Sequence, residues 1–159
     1  MKKAFILIPI VFLIVMKINA QDLTCADFKT GTFYIPTSSE MKNYTITSND
    51  SISKISTPRD STINRYIVIR ENTSQIEWNN GIGNGIPTYV NIEWIDDCTY
   101  RLTYDTSKGS INQRTKWANE NNGIVVSKTK IEGKCMFYEA TMTTNDGRKI
   151  SQEGVICAD

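Results

Sequence analysis

Thr88-Tyr89-Val90-Asn91-Ile92-Glu93-Trp94-Ile95-Asp96-Asp97-Cys98-Thr99-Tyr100-Arg101-Leu102-Thr103-Tyr104 is the stretch that decides the fold. In an extended chain, side chains two apart share a face. Val90, Ile92 and Trp94 therefore group together, away from Asn91 and Glu93. After a tight acidic turn at Asp96-Asp97, Cys98, Tyr100, Leu102 and Tyr104 alternate with Thr99, Arg101 and Thr103. Two runs of period two joined by a short polar turn predict an antiparallel hairpin.

The same period recurs outward from this hairpin. Met136, Tyr138, Ala140 and Met142 face one way against Cys135, Phe137, Glu139 and Thr141, and weaker strands are read at residues 31–35, 65–70, 74–78, 123–131 and 149–156. Pro36 stops the first of these because it cannot donate to a sheet ladder. Two longer excursions interrupt the short connections. Residues 37–64 have room for an extra hairpin around residues 44–46, and residues 105–122 for a helical turn or two near residues 111–118. Eight antiparallel strands predict an all-β fold, either a small up-and-down barrel of lipocalin-like shape or a β-sandwich. Closure removes exposed edges, which favours the barrel.

The chain has 159 residues, 40% hydrophobic and 22% charged, and no histidine. That is the composition of one ordinary folded domain. The missing histidine excludes Ser/His/Asp and Cys/His nucleophiles, His-ligated metals and histidine pH switching.

Residues 1–20 read as a cleaved export signal: Lys2 and Lys3, an apolar run over residues 4–16, then Ile18-Asn19-Ala20 ending in a small residue. The apolar run rises only ~20 Å as a helix against ~30 Å of hydrocarbon, too short for a stable span. Residues 21–159 form the single β domain. Removal takes three of the 18 basic residues and none of the 17 acidic ones, so a formal +1 becomes −2. No basic excess is left to attract nucleic acid. Lys128 and Lys130 alternate with Thr129 and Ile131 as on a solvated strand face.

Cys25, Cys98, Cys135 and Cys157 all lie after the signal, and an even number in an exported chain points to disulfides and to a periplasmic or extracellular location. No C-x-x-C pair suggests a zinc or redox site. Four cysteines allow three pairings. Thr144-Asn145-Asp146-Gly147-Arg148 is a hairpin signal, with Gly147 free to adopt positive φ. If Asn145, Asp146 and Gly147 form the loop and Thr144 faces Arg148, Cys135 stands opposite Cys157. That leaves Cys25 for Cys98. A slip of one residue would turn the two sulfurs to opposite faces. Cys98, Cys135 and Cys157 fall at the same end of an up-and-down barrel. Cys25 can cross beneath it, because six residues of chain reach roughly 20 Å. Both bridges would then tie one end and leave the other free.

Three blocks carry a resemblance: Cys25-Ala26-Asp27-Phe28-Lys29-Thr30-Gly31-Thr32-Phe33; Arg70 with Gln75-Ile76-Glu77; and Trp94 through Thr103. Together they resemble a family of short, uncharacterised bacterial exported proteins whose members often carry a transferred "DNA topoisomerase" name. A short, exported chain without basic excess does not support that name. The resemblance implies a small β domain with Cys25 paired to Cys98, and no known activity. Lys29-Thr30-Gly31-Thr32-Phe33 also resembles the Gly-x-Trp entry of the lipocalins, with Phe33 in place of the Trp and no Arg after the last strand to pack on that ring.

Candidate chemistry is sparse. Gly81-Ile82-Gly83-Asn84-Gly85 lacks phosphate-loop spacing and reads as a strand connection. Glu93, Asp96 and Asp97 sit in no EF-hand pattern, and there is no S-x-x-K box. No catalytic residue, metal or cofactor is expected. A small hydrolase would need two carboxylates converging in a cleft. The expectation is instead a non-enzymatic binding module for a small apolar ligand or a cell-envelope partner, with Phe33, Trp94, Tyr100, Leu102 and Tyr138 as pocket lining. The alternative is a structural or inhibitor-like interaction protein with a filled barrel.

Overall fold

The computed structural model describes residues 23–36, 44–46, 52–54, 65–109 and 112–159; the export-signal reading lies outside them. Among the described residues ten strands and one α-helix follow in chain order: β1 (Gly31–Ile35), β2 (Tyr44–Ile46), β3 (Ile52–Lys54), β4 (Tyr66–Arg70), β5 (Ser74–Trp78), β6 (Thr88–Trp94), β7 (Thr99–Tyr104), α1 (Gln113–Glu120), β8 (Ile124–Glu132), β9 (Cys135–Thr143) and β10 (Lys149–Ala158). Eight of the strands close into an antiparallel up-and-down barrel in the order β1-β10-β9-β8-β7-β6-β5-β4, and β2 with β3 form a separate hairpin. The barrel is the expected architecture rather than the sandwich. It closes where β1 meets β10, with Phe33 opposite Ala158 and Tyr34 opposite Cys157.

The β9–β10 hairpin has the expected register. Thr144 N donates to Arg148 O at 2.8 Å, Gly147 takes φ 85°, and Cys135 stands opposite Cys157. Both predicted disulfides are present: Cys25–Cys98, with Cα atoms 5.3 Å apart, and Cys135–Cys157 at 4.0 Å.

Two local readings are corrected. Lys128 to Ile131 do not simply alternate: a bulge between Lys128 and Lys130 inserts one residue into β8. Val126 and Ile131 are an odd number of residues apart, and the extra residue lets both reach the core. Lys130 instead lies over the Phe137 ring at 5.0 Å and pairs with Glu132 at 3.3 Å. The helix also starts later than expected, at Gln113, where the Asn112 side chain caps it by accepting from Thr115 N at 3.0 Å.

Candidate binding site

The barrel interior has two levels. On the lower one, at the disulfide end, inward-facing Phe33, Val68, Ile92, Tyr100, Val126, Met136 and Ile156 are buried. A short 3-10 turn, Cys25–Phe28, closes this end and inserts Phe28 against Phe33, ring centroids 5.6 Å apart. Asp27 caps the turn by accepting from Thr24 N at 2.7 Å and Thr24 Oγ1 at 2.9 Å. These bonds hold its carboxyl below the ordinary carboxylate range.

Arg70 stands in this apolar floor at 3% exposure. A buried guanidinium is tolerable only when its donors are met. Its Nη1 donates to Phe28 O (2.8 Å), Nη2 to the Tyr100 hydroxyl (3.0 Å) and Nε to Gln75 Oε1 (3.0 Å). Its guanidinium carbon lies 5.5 Å from the Phe33 ring centre and 4.7 Å from that of Tyr100. Packing of an Arg on the β1 aromatic, which the sequence offered no residue after the last strand to supply, therefore comes from β4.

Above the floor, inward positions change character. Ile35, Tyr66, Glu77, Leu102, Tyr104, Ile124, Tyr138 and Ala140 face the interior by strand alternation, yet each keeps part of its surface accessible. These partly accessible side chains make up the upper level of the interior, called the cup below, and most of them also pack against the floor cluster.

Glu77 is the polar centre of the cup. Gln75 Nε2 donates to its Oε1 at 2.5 Å and the Tyr66 hydroxyl donates to its Oε2. Burial raises its carboxyl above the ordinary range, opposed by those two hydrogen bonds and by Arg70 beyond Gln75. Burial and then the Glu77 charge push Tyr66 far above the usual phenol range. Tyr104 is raised for the same reasons, and Tyr138 is pushed up to about 12, chiefly by burial with Tyr100 and Glu77 adding to it. The Tyr104 and Tyr138 hydroxyls have no hydrogen-bond partner among the described residues. Space for the Tyr138 ring comes from Gly154 directly opposite on β10, where a Cβ would stand 2.4 Å from the ring.

The rim is built by asparagines. The Asn119 side chain on α1 both accepts from Tyr104 N and donates to Tyr104 O, each at 2.8 Å, as a neighbouring strand would. Asn121 and Asn145 join the end of the helix to the β9–β10 turn. Between α1 and the start of β6 lies a cleft of about 330 Å³, lined by Ile86, Pro87, Tyr89, Tyr104, Asp105 and Asn112 among others. A second cleft, about 300 Å³, lies beside it along Ile69, Ile76, Tyr89 and Lys108.

Of the five pocket residues read from sequence, Leu102 and Tyr138 stand at the upper level, each partly accessible. Phe33 and Tyr100 belong to the filled floor, and Trp94 packs on Tyr100 at 4.8 Å near the disulfide end, its Nε1 donating to Asn72 O at 2.7 Å. Neither cleft is lined by any of the five. Tyr66, Glu77 and Tyr104 also face inward and were not among the five. The usable signal was the polar set Arg70, Gln75 and Glu77, which shares one strand face against Ile69 and Ile76. Among the described residues no group of three or more potential metal ligands gathers.

No protein-family model, no curated protein and no solved structure matches this chain.

Proposed function

We propose that this chain is an exported, non-enzymatic β-barrel binding module that holds a small, largely apolar ligand in the upper cup. The observation that carries the reading is a closed barrel whose upper interior sets one buried carboxyl, Glu77, among tyrosines and apolar side chains that keep part of their surface accessible. Small-ligand sites favour such apolar concavities with a few placed polar groups, and the mouths of barrels are a usual place for them. Two disulfides belong to an oxidising compartment outside the cytoplasm. Together with the residue 1–20 pattern, they support export to the periplasm or beyond, and with it kinship to the exported bacterial family. Paired-carboxylate hydrolysis draws no support from the barrel strands, where Glu77 is the one inward carboxylate among the described residues.

Native mass spectrometry of the protein purified from its own host tests the reading. The expected result is a one-to-one adduct of small mass that disappears in Ala140→Trp, which fills the cup from β9. Recovery only as a protein complex, with no small adduct, would overturn it in favour of the interaction-protein reading. One observation favours that second reading. Tyr34, Ile67, Ile69, Ile76, Trp78 and Tyr89 point outward from β1, β4, β5 and β6 and keep part of their apolar surface accessible.

A further inference from the structure

The two ends of the barrel also differ on the outside. Up-and-down order puts the β5–β6 loop, α1 and the β9–β10 turn at one end, and the β4–β5, β6–β7 and β8–β9 turns at the other, with the disulfides. At the first end the β5–β6 loop spans residues 79–87, and the chain from Trp78 to Ile92 carries no charge. The loop turns its polar groups onto itself: Asn84 N donates to Gly81 O at 3.1 Å, and Asn84 Nδ2 to Asn80 O at 3.2 Å. Its isoleucines turn outward, Ile82 to 59% exposure and Ile86 to 80%, the most exposed large apolar side chain among the described residues. Helix α1 lies beside this loop, because Ile86 and Pro87 share a cleft with Asn112 and Thr115. Its Trp117 is 39% exposed, in an open groove with Arg114 and Lys116.

The chain as a whole has no basic excess, yet its charge is unevenly placed. Among the described residues outside the strands, this end carries five basic side chains to three acidic ones, and the disulfide end two to five. The β1–β4 connection, residues 37–64, holds three of each sign and leaves that balance unchanged. Aliphatic side chains enter the acyl boundary of a bilayer, Trp sits at headgroup level, and Lys and Arg are drawn to anionic lipid. A backbone that satisfies itself suits an apolar phase, where water is not there to pair with it. Ile95 marks the contrast: it is 50% exposed at the disulfide end, but Asp96 and Asp97 follow it, and an anionic surface repels them.

We propose that the end of the barrel built by the β5–β6 loop and α1 docks on an anionic lipid bilayer. Ile82 and Ile86 enter the acyl boundary, Trp117 lies at the headgroups, and Arg114 and Lys116 meet lipid phosphates. The proposal does not depend on what the interior holds.

Co-sedimentation of the disulfide-bonded protein with phosphatidylcholine vesicles, with and without about a third of phosphatidylglycerol, tests it. Binding should be about tenfold tighter to the anionic vesicles and should weaken with added salt. Ile82→Ser combined with Ile86→Ser should weaken it about tenfold. Arg114→Gln combined with Lys116→Gln should weaken it about fivefold, on the anionic vesicles alone. Ile95→Ser should change nothing. Brominated lipid should quench the part of the fluorescence that Trp117→Phe removes. Thermal unfolding matching that of the parent shows that each variant is folded. Equal binding to both vesicles, or binding that ignores the loop and helix substitutions, puts the contact elsewhere in the chain, residues 1–20 included, and overturns the proposal. So does the absence of binding, or self-association through Ile82 and Ile86 in vesicle-free solution, which would make this end a protein interface.

Discussion

The two ends of this barrel are built from the same kinds of side chain and behave oppositely. At the disulfide end, aromatic and polar groups are interlocked: Phe28 stacks on Phe33, Arg70 meets three hydrogen-bond acceptors and two ring faces, and Cys25–Cys98 ties the closing turn to the β6–β7 hairpin. At the other end, Tyr104 and Tyr138 face inward with hydroxyls that no described residue uses, around a carboxyl raised by burial. The difference teaches that the same kinds of polar group can be fully partnered at one end of a barrel and left with spare hydrogen-bonding capacity at the other.

The comparison can be broken hardest from below. Replacing Cys25 and Cys98 by Ala frees a loop of 73 residues and should cost about 4 kcal/mol, against about 3 kcal/mol for the 22-residue Cys135–Cys157 loop. Urea unfolding of the two double variants checks both the size and the order. Arg70→Met leaves Phe28 O, Tyr100 and Gln75 without their donor and Glu77 without its counter-charge, for an expected loss of about 3 kcal/mol in the same measurement. Gly154→Ala acts at the level of the cup. The new methyl group collides with the Tyr138 ring, so a loss of about 2 kcal/mol is expected along with a displaced ring, read from the Tyr138 resonances.

The smallest effect is the one that separates the ends most cleanly. Asp27 and Asp96, near the floor, lie below their usual 3.8 because backbone and side-chain hydrogen bonds favour the ionised form. Their stabilisation is present above that value and fades as pH falls through the lowered pKa. Glu77 has the opposite sign: its folded pKa is above 4.5, so as pH rises from 4.5 the unfolded chain ionises first and stability falls until the folded value is passed. Glu77→Gln should therefore gain stability relative to the parent as pH rises from about 4 to about 8, while the acid limb set by the aspartates is unchanged. Urea midpoints for both proteins across that range give the answer. A difference that does not vary with pH would mean that Glu77 ionises as if in water.

The strands that alternate cleanly were legible from sequence because their inward side is apolar and their outward side polar, as in Val90, Ile92 and Trp94 against Asn91 and Glu93. The closed barrel follows from eight such segments with short connections, and the Cys135–Cys157 pairing from the register of one hairpin. The cup was only half legible, because β4 and β5 break the rule. There Ile67, Ile69, Ile76 and Trp78 point outward, while Arg70, Gln75 and Glu77 point in. An alternation reading assigns the apolar side to the core, and so it loses Tyr66 and Glu77 from the interior. Leu102 and Tyr138 were read on the inward face because their strands obey the rule.

Sequence by itself determined what depends on neighbours along the chain: strand periodicity, the turn that sets the β9–β10 register, and the absence of histidine chemistry. Tertiary structure decided which face of each strand is inside, because only closure of the sheet brings Arg70 of β4 against Phe33 of β1 and Tyr100 of β7. That contact makes a buried guanidinium affordable, and it holds the charge that offsets Glu77 at the floor of the barrel.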